Sequence, residues 1–458
     1  MKLKGLIIVS LAIMCSCSSG IKKSGDVEGK VRLITLDPGH FHAALIQKSM
    51  YGQIDSNVYV YATAGEDVND HLKRIENYNR RAENPTHWNE IVYREPDFFE
   101  RMLKEKQGNV VVLAGNNRKK IHYIKASLDA GLNVLSDKPM SINMADFELL
   151  RASFDIAKQK GVLLYDIMTE RSEITTILQK EFSLDPDVFG TLEKGTLENP
   201  AVTKESVHHY YKFVSGSALK RPAWFFDILQ QGEGIVDVTT HLVDLVQWEC
   251  FPEQAIDYLT DIEVVNASHW PTYISPAEFK EVTKLDDFPE YLKKDIKDSI
   301  LNVYANGEIN YKVKGVYAKV SVVWNFKAPE GGGDTHFSIM RGTRANLIIR
   351  QGKEQNHKPT LFIEPVNKIN EDEFSGLLSE SVKRIQTKYP GVEVKKTADY
   401  WEVVIPEEYK VGHEEHFAQV TERYLQYLKN GGLPDWEVPN MLAKYYVTAK
   451  ALEIAQRR

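Results

Sequence analysis

The stretch VVVLAGNNRKKIHYIKASLDAGLNVLSDKP, residues 110–139, carries the pattern that decides the fold. An apolar run at 110–114 is followed by a polar loop, an amphipathic segment that ends at Gly131, and a second strand-like segment, NVLSD, at 133–137. Apolar runs without polar alternation, separated by helices of about ten or more residues, are typical of parallel strands that are covered on both faces. The stretch therefore predicts a strand–helix–strand unit of an α/β sheet.

The same alternation continues on both sides of this unit. The polar, charged stretch 67–96 is unusually long for one connection, and no helix or strand is assigned within it. Further strands are predicted at 31–36, 58–62 and 162–167, and further helices at 43–50, 97–106 and 145–160. Together these segments predict a Rossmann-type parallel sheet with helices on both faces over residues 31–166.

After residue 166 the chain changes character, because short strand-like segments separated by turn residues dominate. Strands are predicted at 190–197, 207–214, 260–266, 311–326, 335–340 and 345–350, and helices at 174–182, 413–430 and 438–458. Residues 167–458 are thus predicted to form a C-terminal α+β domain on a large, mostly antiparallel sheet.

Composition excludes several classes of protein. The chain has 57 Lys and Arg against 64 Asp and Glu, a formal charge of −7, so it lacks the basic surface of a nucleic-acid binder. Beyond residue 20 no apolar run approaches the roughly 20 residues that a membrane span needs. The three cysteines cannot form a disulfide scaffold or a cysteine-rich metal site.

The first residues resemble a bacterial lipoprotein signal. Lys2 and Lys4 precede a short apolar run at 5–14, and the small Ser16 stands just before Cys17. The resemblance implies that Cys17 is lipidated and that 1–30 are signal and tether; an ordinary cleaved signal peptide or a retained anchor is the alternative. The expected location is the bacterial cell envelope, as an outer-membrane or periplasm-facing lipoprotein that touches the membrane through its lipid anchor only.

The loop after the first strand is a degenerate dinucleotide-binding motif. Against the usual G-x-G-x-x-G, residues 37–42 read DPGHFH, and the glycine retained is Gly39, where the backbone approaches the diphosphate. Gly39, His40 and Phe41 are the cofactor-binding candidates here, although a plain strand-to-helix turn explains the pattern equally well. No acid ends the second strand directly, so NAD and NADP are not distinguished.

Two later motifs resemble the glucose–fructose oxidoreductase, inositol dehydrogenase and rhizopine-catabolism family, in a bacterial lipoprotein branch. The first runs from Asn116-Asn117 through Ala130-Gly131 to Asp137-Lys138-Pro139, with Asp where the family has Glu. The second, GEGIVDVTTHLVD at 232–244, resembles the family's glycine-rich turn and Asp-x-x-x-His-x-x-Asp. A weaker third match runs from His413 to Pro434.

Oxidation of a secondary alcohol needs a base for the hydroxyl proton and an acceptor for the hydride. His241 is the candidate base, because imidazole titrates near neutrality. Asp237, four residues earlier on a predicted helix, would orient it. The Lys138 ammonium would stabilise charge on the substrate oxygen. The resemblance implies these same three roles and, together with their positions at strand ends, places Asn116, Asn117, Asp137 and Lys138 at the cofactor.

Aromatic residues just before the second motif are the candidates for substrate contacts. His209, Tyr211 and Trp224 are selected because aromatic faces suit the C–H faces of a sugar, although core packing explains them as well. His413-x-x-His416 has no obvious third ligand, so no metal site is expected.

The function expected is an NAD(P)-dependent oxidoreductase that converts a secondary hydroxyl of a sugar or glycoside to a keto-sugar. The cofactor preferred is NAD. Because free NAD is scarce outside the cytoplasm, the cofactor is expected to stay tightly bound and to be recycled. Two alternatives stay open: a glycosidase that works by oxidation and elimination, and a non-catalytic carbohydrate-binding lipoprotein. The partners expected are a small carbohydrate and a second copy of the chain bound through the C-terminal sheet.

Overall fold

The computed structural model describes residues 30–214, 217–330, 332–366 and 370–457, and it begins with a six-stranded parallel sheet. The order across the sheet is β3-β2-β1-β4-β5-β6. Its strands are β1 (Leu33–Leu36), β2 (Asn57–Tyr61), β3 (Asn89–Tyr93), β4 (Val110–Leu113), β5 (Asn133–Asp137) and β6 (Leu164–Ile167). Its helices are α1 (His42–Leu45), α2 (Glu66–Arg80), α3 (Phe98–Glu105), α4 (Asn117–Asp129) and α5 (Met144–Lys160).

Local sequence explains where these elements begin and end. The strands β1, β4, β5 and β6 are buried along their whole length, as expected for strands with helices on both faces. The Asn143 side chain caps the start of α5 by accepting a hydrogen bond from the N–H of Asp146. Gly161 ends the same helix with a left-handed φ of 68°.

The sequence assigned no helix or strand within 67–96, although the stretch is unusually long for one connection. This stretch contains most of α2 and all of β3, the edge strand of the sheet. The helix was missed because few of its residues are apolar and buried. The strand was missed because it lies half in solvent, with Ile91 44% exposed, and so lacks the continuous apolar run of a central strand.

The second layer is a ten-stranded sheet with the path β10-β12-β13-β7-β14-β15-β16-β18-β17, in which β11 pairs with β12. All its pairs are antiparallel except β7 with β13. Its strands are β7 (Val202–Tyr211), β10 (Ile262–Ile274), β11 (Ile296–Lys297), β12 (Ile300–Val313), β13 (Val316–Lys327), β14 (Thr335–Arg341), β15 (Ala345–Arg350), β16 (Thr360–Pro365), β17 (Glu393–Lys396) and β18 (Trp401–Val404), and a separate small hairpin consists of β8 (Phe213–Val214) and β9 (Ser217–Ala218). The predicted fold class is therefore confirmed.

Two predicted strands differ from the structure. Residues 190–197 make isolated bridges at Leu192 and Gly195 and form no strand. Residues 311–326 belong to two paired strands, β12 and β13, because the chain reverses at Lys314-Gly315, where both residues have positive φ. The apolar alternation continues through this tight turn, so the pattern alone did not show it.

The helices of the second half are α6 (Ile174–Ser183), α7 (Ile228–Gln231), α8 (Thr239–Cys250), α9 (Pro276–Thr283), α10 (Glu371–Gln386), α11 (His413–Asn430) and α12 (Glu437–Ala455). Apolar residues of α11 and α12 belong to the same core as the parallel sheet. The end of the chain thus returns to the first layer, and the division at 166/167 stays a prediction, as does self-association through the large sheet.

Within the described ranges, every helix is too short or too polar to cross a lipid bilayer. The proposed signal, tether and lipidation site at Cys17 lie outside the described residues.

Candidate active site

A cleft of about 1470 Å³ lies between the two sheets, at the carboxyl ends of the parallel strands. Ligands of open α/β sheets bind at this edge. Most of the predicted site residues line this cleft: His40, Phe41, Asn117, Asp137, Lys138, Tyr211, Asp237 and His241. Gly39, Asn116 and Trp224 line a smaller cavity of about 360 Å³.

Lys138 and Asp237 form a buried ion pair in the cleft. The Lys138 Nζ contacts one carboxylate oxygen of Asp237, and the other accepts a hydrogen bond of 3.0 Å from Gln231 Nε2. Burial alone would raise the pKa of the Asp237 carboxyl, but the neighbouring ammonium outweighs it, and the pKa lies below its usual value. The pair joins the end of β5 to the segment just before α8.

His241 lies on α8 and is 9% exposed. Burial, and then the charge of Lys138, lower the pKa of its imidazole to about 3, so the ring is neutral at pH 7. Its Nδ1 is buried and has no hydrogen-bond partner. The Nδ1 of His241 is therefore without a hydrogen bond in a cleft that the Lys138 side chain also lines.

The predicted orientation of His241 by Asp237 is wrong. The helix α8 begins at Thr239, so Asp237 lies in the turn before it and the two residues do not share a helical face. Both oxygens of Asp237 are already used, by Lys138 and by Gln231. The buried ammonium attracts this carboxylate more strongly than a neutral imidazole does.

The loop after β1 does not present an open phosphate cradle. The N–H groups of Gly39 and His40 both donate to the carbonyl oxygen of Ala114, each at 3.1 Å. A Cβ placed on Gly39 would lie 3.2 Å from the Trp224 indole and 3.0 Å from the Asp67 carboxylate. Trp224 Nε1 donates to Asp67 at 2.9 Å, so the two side chains together cover the glycine.

The two asparagines after β4 are held by the segment at α7. The Asn116 side chain donates to Gln230 Oε1 at 2.7 Å and accepts from the N–H of Arg118 at the start of α4. The Asn117 side chain donates to the Gln231 carbonyl oxygen at 2.7 Å. Their amide groups tie the parallel sheet to the second half of the chain, and their predicted cofactor contact stays a prediction.

On the opposite wall, His209 is 3% exposed and is bonded to Asp334, whereas Tyr211 lines the cleft. The sequence did not single out His208 and Trp324, which also line it. Their rings stack at 5.1 Å because β7 and β13 pair in parallel with these two residues in register. The pairing of β7 with β13 could not be predicted from a local sequence pattern, since the two strands lie far apart along the chain.

Comparisons with known proteins agree with this architecture. A family described as "Putative oxidoreductase C terminal domain" matches residues 178–456, more than half of the chain. A crystal structure of a "putative oxidoreductase" from Parabacteroides merdae ATCC 43184 is 60% identical, with a TM-score of 0.92, over 94% of this chain and 98% of that chain. No curated protein matches the chain.

Two more distant crystal structures share the fold. Levoglucosan dehydrogenase in complex with NADH and levoglucosan is 12% identical, with a TM-score of 0.60, over 93% of this chain and 98% of that chain. Biliverdin reductase from Synechocystis sp. PCC 6803, in complex with biliverdin and NADP+, is 11% identical, with a TM-score of 0.55, over 93% and 99%. At such identities the similarity shows the fold alone.

Proposed function

Because the chain belongs to the oxidoreductase family that matches residues 178–456, we propose that it oxidises a secondary hydroxyl of a sugar or glycoside to a keto-sugar. The observation that carries this proposal is the Lys138–Asp237 ion pair in a cleft that His241 also lines. The cleft thus offers a cation for charge that develops on oxygen and a neutral imidazole for the proton. Aromatic rings at Tyr211 and Trp324 offer surfaces for the C–H faces of a sugar.

Each residue of the trio has a separate role. The Lys138 ammonium would hold the substrate oxygen and stabilise its alkoxide character. His241 would accept the hydroxyl proton, since its imidazole is neutral and its Nδ1 has no hydrogen-bond partner. Asp237 positions the lysine rather than the histidine, because its carboxylate contacts Nζ of Lys138.

The cofactor proposed is a nicotinamide dinucleotide, with NAD preferred to NADP; when bound, it supplies the hydride acceptor. Its nicotinamide half fits the carboxyl ends of β4 and β5, where Asn117, Asp137 and Lys138 line the cleft. Its diphosphate half does not fit the β1 loop as this loop stands, because the N–H groups of Gly39 and His40 are bonded to Ala114. Tight binding of the dinucleotide would therefore depend on contacts of its nicotinamide half with residues 117 and 137–138.

Nucleotide release tests the proposal. Full-length protein, purified without added cofactor and then denatured, should release about one nicotinamide dinucleotide per chain, measured by mass spectrometry. Before denaturation, addition of the correct sugar should produce the 340 nm absorbance of reduced nicotinamide, roughly one equivalent per site under single-turnover conditions. An aglycone released without net oxidation would favour the oxidation–elimination glycosidase instead.

The closed β1 loop favours one other candidate, a carbohydrate-binding protein that keeps the fold without the chemistry. Under that candidate, denaturation releases no nucleotide and added NAD+ or NADP+ does not bind. Calorimetry would still detect a sugar, and Trp324→Ala should weaken that sugar's binding because an aromatic face is lost.

We also propose that the chain is anchored in the bacterial envelope through Cys17, with its catalytic part outside the cytoplasm. Cys17→Ser should move the protein from the membrane fraction to the soluble fraction, because no lipid could then be attached at this position. Ser24→Thr, which lies in the proposed tether and leaves Ser16 and Cys17 in place, serves as the control. Continued membrane attachment of Cys17→Ser would overturn lipidation at this residue and leave a retained apolar anchor.

A further inference from the structure

Two imidazoles and a carboxylate meet on the wall of the cleft, where the loop after β1 faces the end of β5. His42 Nδ1 lies 3.0 Å, and His40 Nδ1 3.5 Å, from the same oxygen, Oδ2 of Asp137. The ligand atoms of the three residues all lie within 4.8 Å of one another. Elsewhere in the described part of the chain, no other group of three or more His, Cys, Asp or Glu comes together in this way.

These distances match those of a tetrahedral metal centre. Two donor atoms that are each about 2.0–2.1 Å from a zinc ion, at a tetrahedral angle, lie about 3.3 Å apart. The two Nδ1–Oδ2 distances bracket this value.

One atom of the cluster is unsatisfied without an ion. His40 Nδ1 is buried and makes no hydrogen bond. A buried polar atom without a partner is uncommon and calls for an explanation, and a bound ion is one of the usual ones. A cation between the two imidazoles and the carboxylate would give this nitrogen a partner.

The cluster also has the outer support that metal-bound histidines usually have. His42 Nε2 lies 3.4 Å from His413 Nε2, and His413 Nδ1 lies 3.9 Å from a Glu170 oxygen. A ligating imidazole normally donates its second N–H to a neighbouring acceptor, which fixes the ring and its tautomer. If Nδ1 of His42 is the ligand, its Nε2–H can donate to His413.

We propose that His40, His42 and Asp137 bind one divalent transition-metal ion of the zinc type. Two imidazole nitrogens and one carboxylate oxygen suit such an ion, and three protein ligands leave a coordination position open. The three ligands and Lys138 line the same cleft. The sequence expectation of no metal is revised because Asp137 lies 95 positions from His42 along the chain.

Metal content and zinc titration test this site directly. Full-length protein without a histidine tag should contain about one metal ion per chain by mass spectrometry of the elements. After removal of metal with a chelator, calorimetric titration should show one Zn²⁺ per chain. His42→Ala and Asp137→Asn should each weaken Zn²⁺ binding by more than about 100-fold, beyond the 10–100-fold cost of losing a supporting group.

The matched control is His208→Ala, which removes a histidine that faces a carboxylate, Asp334, elsewhere in the same cleft and should leave zinc binding unchanged. Co²⁺ absorption of the chelator-treated wild type gives a second measurement that needs no variant. Absence of Zn²⁺ binding and of a Co²⁺ spectrum in the wild type would overturn the proposal, as would unchanged binding in both ligand variants. Nucleotide content measured in the wild type and in His42→Ala tests the proposed oxidoreductase separately, because His42, unlike Asp137, is not among the residues proposed to hold the nucleotide.

Discussion

His241→Ala should lower kcat for sugar oxidation by about 10²–10⁴-fold, the usual contribution of a positioned general base. The imidazole is neutral, has an unpartnered Nδ1 and lies in the cleft with the Lys138 ammonium. Since it neither caps a helix nor holds another side chain through Nδ1, its removal should leave the content of bound nucleotide unchanged. A transition-state role predicts loss of kcat with little change in KM.

A control histidine separates this effect from general damage to a buried site. His71, on α2, is also buried, and burial lowers its pKa to about 3. Because it lies outside the large cleft, His71→Ala should keep the parent rate. The pH profile gives a further check, because kcat/KM reports ionisations of the free enzyme. With the pKa of His241 at about 3, protonation of this ring should not lower kcat/KM between pH 8 and pH 5. An acid limb near 6.5 that disappears in His241→Ala would contradict this account, as would an unchanged rate.

The site shows how far motif matching reaches. The resemblance located Lys138, Asp237 and His241, and the structure brings all three to one cleft. The resemblance did not show which side chains the Asp237 carboxylate contacts. Those contacts depend on the charge of Lys138, which follows β5 and lies far from Asp237 along the chain. A motif that covers one segment of the chain cannot predict contacts between segments that are distant in sequence.

The sequence likewise predicted some elements of the fold and missed others. Central elements such as β4, β5 and α5 were predicted within a residue or two, because β4 is wholly apolar, β5 follows the glycine that ends a helix, and a cap residue marks each end of α5. The edge strand β3 and the helix α2 were missed because half-exposed elements lack that signal. Pairing in the large sheet could not be predicted, since strand order is set by tertiary packing.

Arg171→Met should cause the largest loss of stability among single changes in the buried ionic network behind the cleft. Arg171, 3% exposed, donates two bonds of 2.6 Å to Asp244 and bonds of 2.9 and 3.2 Å to Glu437. Lys444 Nζ lies 2.8 Å from both Asp244 and Asp166, so after the substitution one ammonium would face three buried carboxylates. Removing one partner of such a buried pair costs about 3–5 kcal/mol.

Asp244 gives this prediction its pH dependence. Burial would raise the pKa of its carboxyl, but Arg171 and Lys444 outweigh burial and hold the pKa well below the usual value. A carboxyl with a depressed folded-state pKa contributes stability above its unfolded pKa of about 3.9 and loses that contribution as the pH falls through the folded value. Because wild type and Arg171→Met share the same unfolded state, their difference in urea midpoint should shrink as the pH falls through the pKa of Asp244 in the variant, which loss of the guanidinium raises, and should continue to shrink down to the depressed wild-type pKa.

The control for this measurement is Arg151→Met, since Arg151 forms an exposed ion pair with Glu148 on α5 and should not shift the midpoint measurably. The network joins β6, the segment at Arg171, α8 and α12, and α8 carries His241, so its loss should loosen the helix that places the base. A urea midpoint for Arg171→Met equal to that of Arg151→Met would mean that the three carboxylates can be held without the guanidinium. In that case the network would serve neither stability nor the placement of α8, and the position of His241 would have to depend on the apolar packing of that helix alone.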